Sequence, residues 1–399
     1  MAAAPHGLLR QRDGGHARVG FVELFFDLVF VFAVTQLSHA LIAHPTPMGL
    51  LQTTLMLMAV WWAWMYTTWA TNFLEVEHRG VRLMLFTVMA AGVVMSSSLG
   101  EAFDGAGLAF AAAYVAIQVG RTAFLLYAVR EDEILRPNFL RIVIWFLVSG
   151  AFWILGGLGE GSTRLGWWGM ALTIDYLGPI CAFWTPGLGR SSTHDWTVEG
   201  GHMAERCGLF IIIALGESVL VTGATFAGQP WSIPTIAAFA SAFTATVAMW
   251  WIYFSANAEA ASEAISESDD PGRIARMAYT YMHIFLVAGI IVTAVGDEWV
   301  LAHPDGHTDL KTAMALLGGP GLFLLGSLLF KWSVFGHAAL SRIVGLTLLA
   351  LLAIPAPHLS PMVLSWLATA VLIVVAVWET TLYQQRQMPG HTAAGRDGL

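Results

Sequence analysis

The stretch that decides the fold spans residues 20–42 and reads GFVELFFDLVFVFAVTQLSHALI. As an α-helix, a segment of this length extends about 35 Å. That is enough to cross the hydrocarbon core of a bilayer, which is about 30 Å thick. Glu23 and Asp27 are its only acidic residues and it contains no Lys or Arg, so we predict that it is the first membrane span.

Similar apolar segments recur along the whole chain of 399 residues, which is 57% hydrophobic and only 12% charged. A soluble protein is typically about 25% charged, so this composition argues against a soluble domain. We predict an all-α polytopic transmembrane helical bundle in the lipid bilayer with about twelve spans. The predicted spans are 20–42, 48–71, 81–99, 106–129, 140–158, 166–184, 205–226, 233–256, 273–296, 312–331, 339–355 and 361–383.

The Lys and Arg residues predict the orientation of these spans, because they concentrate in cytoplasmic loops. The chain has nineteen Lys and Arg residues. Only Arg164 and Lys311 fall in loops on one side of the membrane, and Arg121 falls inside a span. The others share the side of both termini. We therefore expect a multi-pass protein of the plasma membrane (the bacterial inner membrane) with both termini in the cytoplasm.

The remaining general features exclude several classes of function. The first nineteen residues lack the short apolar core and cleavage site of a signal peptide. The two cysteines form no CxxC motif, and no nucleotide-binding or hydrolase motif occurs. The net charge of −8 gives no indication of nucleic-acid binding, and we predict no cofactor.

The two halves of the chain share an ordered set of features. Glu23 opens span one and Glu205 opens span seven, and Trp61-Trp62 in span two is echoed by Trp250-Trp251 in span eight. We predict two parallel six-helix repeats, an arrangement known in transporters. The predicted parts are a cytoplasmic N-terminal tail 1–19, repeats 20–184 and 205–384, a cytoplasmic linker 185–204 and a cytoplasmic tail 385–399.

The candidate functional residues are the ionisable side chains of spans one and seven, because charge inside a bilayer is costly and marks function. Glu23 and Asp27 lie one turn apart on one helix face. We expect them either to exchange protons or cations or to act as polar locks between helices. Glu217 should lie near the bilayer midplane. The candidates for binding a substrate or ion are Glu23, Asp27, His202, Glu205, Arg206, Glu217 and Ser218.

Three further interpretations concern the other buried polar residues. Arg121 and Asp175 form a candidate buried ion pair, which favours a structural role. Arg206 is expected to pair with Glu205 or Glu23. A metal site built from His202, Glu205, Glu23 and Asp27 is a lesser alternative, and we predict no metal, since no second histidine motif supports one.

Two motifs together resemble the bacterial low temperature requirement A (LtrA) family. They are VELFFDLVFVF at 22–32 and HMAERCGLFIIIALGES at 202–218, and the resemblance extends over about residues 18–385. It implies a polytopic inner-membrane protein connected with growth at low temperature, a stress response. It supplies neither a reaction nor a substrate.

Three hypotheses about function follow. The first is a transporter or ion or proton pathway that uses the intramembrane carboxylates to move a small solute, proton or cation. The second is an intramembrane enzyme acting on a lipid or isoprenoid, with Asp27 or Glu217 as general acid. The third is a non-catalytic membrane scaffold or sensor. We favour the first, because the apparent repeat and Glu217 both fit it.

Overall fold

The computed structural model describes residues 7–10, 19–196, 198–254, 261, 264–265 and 268–387. These residues are helical almost throughout, and their only β-structure is two isolated bridges, Leu9 with Leu74 and Thr185 with Gly189. The predicted all-α fold is therefore confirmed.

We label the longer helices of the described residues α1 to α12 in chain order. They are α1 Phe21–Ala43, α2 Pro47–Phe73, α3 Arg79–Ser97, α4 Gly107–Ala128, α5 Leu135–Leu158, α6 Gly161–Ile180, α7 Gly200–Ala227, α8 Ile233–Phe254, α9 Pro271–Ala302, α10 Leu310–Phe335, α11 Leu340–Leu352 and α12 Pro361–Gln387. Within α9, Ala275–Met282 is π-helical.

Ten helices of the described residues are long and apolar enough to cross a membrane, so the protein is a multi-pass membrane protein. The two others are α6 and α11. Polar residues such as Arg164 and Asp175 reduce the hydropathy of α6, and the 13 residues of α11 extend only about 20 Å. The count of about twelve spans therefore stays a prediction.

The chain divides into two compact units. The first unit comprises Met1–Glu217 and Ile265–Ile284, and the second comprises Ser218–Ala264 and Phe285–Leu399. The boundaries fall inside α7 and α9, whereas the predicted repeats meet at the 185–204 linker. The repeat stays a prediction. Much of the two predicted tails, at 1–6, 11–18 and 388–399, lies outside the described residues.

The core of the first unit is built around α2, which packs against α1, α4 and α6. Trp61, Trp62 and Trp64 of α2 are at most 1% exposed. The Trp62 ring stacks on Tyr176 of α6 with a centroid separation of 3.9 Å. Because each tryptophan buries a large apolar area, these rings fix α2 at the centre of the unit.

The end of α2 also holds residues 7–10 of the predicted N-terminal tail. The Arg10 amide donates to the Phe73 carbonyl at 2.9 Å, and the Glu75 amide donates to the Leu8 carbonyl at 2.9 Å. These backbone bonds place the Arg10 side chain beside the first turns of α7, where its Nη2 lies 3.5 Å from His202 Nε2.

The second unit is held by close contacts between small residues. The Ser241 hydroxyl of α8 lies 2.8 Å from the Ser365 hydroxyl of α12. At the crossing of α9 and α10, a Cβ atom added to Gly289 would lie 2.4 Å from the Phe323 nitrogen. Small residues let membrane helices approach this closely, so Gly289 is required by the packing.

Candidate functional site

The first feature of the candidate site is a buried ion pair between α1 and α7. Arg206 Nη1 donates to Asp27 Oδ2 at 2.6 Å, and Arg206 Nη2 donates to Asp27 Oδ1 at 2.8 Å. Both side chains are fully buried. This bidentate geometry is the strongest arrangement for a guanidinium and a carboxylate, so it fixes the register of α1 against α7.

Glu23 occupies the adjacent position, one turn earlier on α1. Its Oε2 accepts the Gly20 amide of its own helix at 2.9 Å, and its Oε1 lies 3.0 Å from His202 Nε2. Arg206 Nε is 3.8 Å from Glu23 Oε1, too far for a hydrogen bond. The two groups are within ion-pair distance, which agrees with the predicted pairing of Arg206 with Glu23, but the partner that Arg206 hydrogen-bonds is Asp27, which was not predicted.

α2 supplies contacts to this cluster that the sequence analysis missed. Trp64 Nε1 donates to Asp27 Oδ1 at 2.8 Å, and Asn72 Nδ2 lies 3.2 Å from His202 Nδ1. Asn72 also exchanges hydrogen bonds with the backbone of Glu199, its Oδ1 accepting and its Nδ2 donating, both at 3.0 Å. The sequence signal that could have identified Asn72 is its position as a polar residue near the end of an apolar helix.

These contacts assign the protonation of His202. The Asn72 oxygen is occupied by the Glu199 amide, so the Asn72 nitrogen faces His202 Nδ1 and must donate to it. His202 Nδ1 is then an acceptor, and Nε2 carries the proton that is donated to Glu23. His202 is therefore neutral, with the tautomer assigned by its partners.

Glu217 differs from every member of this cluster. It lies about 16 Å further along α7 than Arg206, and only 4% of the residue is exposed. Its Oε1 is buried without a hydrogen-bond partner among the described residues. Thr35 and His39 of α1 lie near its carboxyl group. The structure thus places Glu217 outside the cluster.

The two other predicted site residues, Glu205 and Ser218, each make a polar contact with another segment of the chain. The Val19 amide donates to Glu205 Oε2 at 3.3 Å. In the second unit, the Ser218 hydroxyl lies 3.5 Å from the Thr246 hydroxyl of α8.

Arg121 and Asp175 do not form the predicted direct ion pair. Arg121 Nη2 donates to Gln118 Oε1 at 2.6 Å, Gln118 Nε2 donates to the Tyr114 hydroxyl at 3.0 Å, and that hydroxyl donates to Asp175 Oδ2 at 2.8 Å. Trp153 Nε1 also donates to Asp175 Oδ2, at 3.0 Å. The prediction failed because two side chains of α4 occupy the space between the charges.

The second unit contains buried carboxylates that the sequence analysis did not select. Glu379 of α12 accepts hydrogen bonds from Arg342 at 2.7 Å and from Lys331 at 2.5 Å. Asp297 of α9 is 3% exposed, and its Oδ2 has no hydrogen-bond partner among the described residues. Asp297 was missed because the predicted span stopped at residue 296.

A metal site receives no support from the geometry. In the described part of the chain, no group of three or more His, Cys, Asp or Glu side chains is arranged to hold a metal ion. The reason at the candidate cluster is that the Arg206 guanidinium already occupies the Asp27 carboxylate.

Comparisons with known proteins agree with this architecture. The chain matches the family described as Bacterial low temperature requirement A protein (LtrA) over residues 18–377. A curated relative from Rhizobium meliloti (strain 1021), described as an uncharacterized protein, is 41% identical over 379 residues, covering 93% of this chain and 91% of the relative. No solved structure matches. The match covers both motifs of α1 and α7, and the chain therefore belongs to the bacterial low temperature requirement A family.

Proposed function

We propose that this membrane protein is a transporter or ion pathway in which protons exchange at Glu217. The observation that carries the proposal is the buried Glu217 carboxylate, one oxygen of which has no hydrogen-bond partner in the described part of the chain. Buried polar atoms are normally hydrogen-bonded, and an ionisable group deep in a membrane helix usually serves an ion or proton path. A carboxylate oxygen without a hydrogen-bond partner is available to take up a proton.

The Asp27–Arg206 pair has a supporting role in this proposal. A charge pair whose members are mutually hydrogen-bonded does not readily exchange protons, because losing either charge leaves the other buried and unpaired. We assign the pair to holding α1 against α7, so that Thr35 and Glu217 stay on facing surfaces.

A cavity at the far end of α1 supports access to this region. Its volume is about 340 Å³, and its lining includes Leu37, Ala40 and His44 of the α1 end together with Gln52 and Asp104. The polar lining is suited to water. In the proposed pathway, protons enter through this cavity and reach Glu217 along α1.

The arrangement of α6 supports twelve crossings. Gly161, at the start of α6, lines the cavity at the far end of α1. Pro179, near its end, lines the same cavity as Ala70, which lies near the end of α2. Its 20 residues extend about 30 Å, so α6 reaches from one end of the first unit to the other. With α11, this gives twelve spans, which fits parallel repeats, cytoplasmic termini and a plasma-membrane location.

Proteoliposomes test the role of Glu217. Wild type and Glu217→Gln are reconstituted with a pH dye inside, and a potassium diffusion potential drives protons. We expect wild-type vesicles to change internal pH several-fold faster than protein-free vesicles, and Glu217→Gln to match the protein-free rate. Equal rates for wild type and Glu217→Gln would contradict the assignment, and a wild-type rate at the protein-free level would contradict the pathway.

The matched control is Glu131→Gln, since Glu131 lies outside the helices and its side chain is 85% exposed. It removes the same charge and should keep the wild-type rate. The family name refers to a requirement at low temperature. For this chain we extend the proposal to growth in the cold, which a deletion strain complemented with Glu217→Gln would test.

A further inference from the structure

A second polar site lies inside the first unit, at the end where α2, α4 and α6 finish. It is a cavity of about 70 Å³, room for roughly five water molecules. Five aromatic side chains form much of its wall, namely Tyr66, Trp69, Phe139, Phe183 and Trp196. The proposed proton pathway uses none of these residues.

Arg121 lines this cavity and is only 1% exposed. Its Nη1 donates to the Ala63 carbonyl and the Thr67 hydroxyl, both at 3.2 Å. Its Nη2 donates to Gln118 and to the Thr122 hydroxyl. All of these acceptors are neutral. No anion of the described residues is therefore paired directly with Arg121, and leaving a buried guanidinium without such an anion is costly.

Arg276 supplies a second guanidinium to the same cavity. Its Nη1 donates to the Pro179 carbonyl at 2.9 Å, again a neutral acceptor. It belongs to the π-helical turn Ala275–Met282, and such turns are frequent at functional sites. None of the described lining residues is an Asp or Glu.

The cavity also contains a serine hydroxyl group that is available to form a hydrogen bond. The Ser191 side chain lines the cavity, and its Oγ is buried without a hydrogen-bond partner among the described residues. Ser192, which also lines the cavity, is exposed. Two guanidinium groups and a free hydroxyl are donors, and together they suit an acceptor with several oxygens.

We propose that this cavity binds the phosphate group of an amphiphilic phosphate monoester. Guanidinium groups bind phosphate through paired hydrogen bonds, and two of them match the double charge of a monoester. The aromatic wall gives an apolar surface for the part of the ligand next to the phosphate. The Asp175 carboxylate, three hydrogen bonds away from Arg121, is too remote to replace this ligand.

Thermal unfolding of the purified full-length protein in detergent tests the proposal. The probes are dioctanoyl phosphatidic acid, dioctanoylglycerol with the same tails but no phosphate, and inorganic phosphate. We expect phosphatidic acid to raise the Tm and dioctanoylglycerol to leave it unchanged. An equal shift with inorganic phosphate would show that free phosphate suffices, and no shift with either phosphate would overturn the proposal.

The residue test compares Arg276→Gln with Arg273→Gln. Both remove one arginine charge from the same helix, but Arg273 is exposed and does not line the cavity. We expect Arg276→Gln to weaken phosphatidic acid binding about tenfold, the effect of losing one charged hydrogen bond, and Arg273→Gln to bind as wild type. If both variants bound phosphatidic acid equally weakly, the effect would be due to surface charge, and the proposed site would be wrong. Should Arg276→Gln fail to fold, Arg276→Lys provides the comparison.

Discussion

The buried carboxylates of α1 and α7 fall into two kinds that the sequence does not distinguish. Asp27 accepts two hydrogen bonds from Arg206 and one from Trp64. Glu217 has a buried oxygen with no partner among the described residues. Both interrupt an apolar helix. Only the contacts made across helices separate a structural charge from one that is available for exchange.

At this scale, Arg206→Gln should be strongly destabilising. The substitution leaves the Asp27 carboxylate buried without its cation, and breaking a buried pair in this way costs about 3–5 kcal/mol. We expect a clearly lower Tm in detergent for Arg206→Gln. The double variant Asp27→Asn with Arg206→Gln should unfold closer to the wild type, because it removes both charges. If the double variant were the less stable of the two, the pair would not be the source of the loss.

The sequence predicted which residues carry chemistry better than it predicted their partners. Glu23, Asp27, His202 and Arg206 were all selected, and the structure brings these four together. Asn72 was not predicted as a partner of His202, because spacing along one helix cannot show which face meets another helix. The Arg121–Asp175 pair failed for the same reason.

At the scale of the elements, the helices follow from apolar length, whereas their packing depends on where small residues lie. Every predicted span coincides with a helix, and the ends differ by a few residues. The exception to regular geometry is α9, whose π-helical turn has no signal in the apolar pattern. That turn contributes Arg276 to the aromatic cavity.

Gly289→Ala should weaken the contact between α9 and α10. The added Cβ would lie 2.4 Å from the Phe323 nitrogen and 2.8 Å from the Gly319 carbonyl oxygen. Because these are backbone atoms, the helices must move apart, at a cost of about 1–3 kcal/mol. We expect a lower Tm in detergent.

Gly318→Ala is the control for this effect. Gly318 lies on α10, and a Cβ added there meets no atom within 4 Å. Alanine also favours a helix over glycine by up to about 1 kcal/mol, so Gly318→Ala should be neutral or stabilising. A similar loss of stability in both variants would show that the close approach is not responsible.

At the scale of the whole molecule, the number of crossings depends on α6 and α11. The charge distribution of the loops supports an even number of spans, since a miscounted single span would scatter the arginines over both sides. By length and composition, ten helices of the described residues are candidate spans. The two weakest are those where polar residues or short length reduce the hydropathy.

A native cysteine can report on which side of the membrane α6 ends. Cys181 follows the last residue of α6 and is exposed, whereas Cys207 is buried. If α6 crosses the membrane and the termini are cytoplasmic, an impermeant maleimide should label wild-type Cys181 only after the cells are permeabilised. In Cys181→Ser with Glu160→Cys, the thiol precedes α6 and should be labelled in intact cells. Labelling of both thiols from the same side would remove α6 from the crossings.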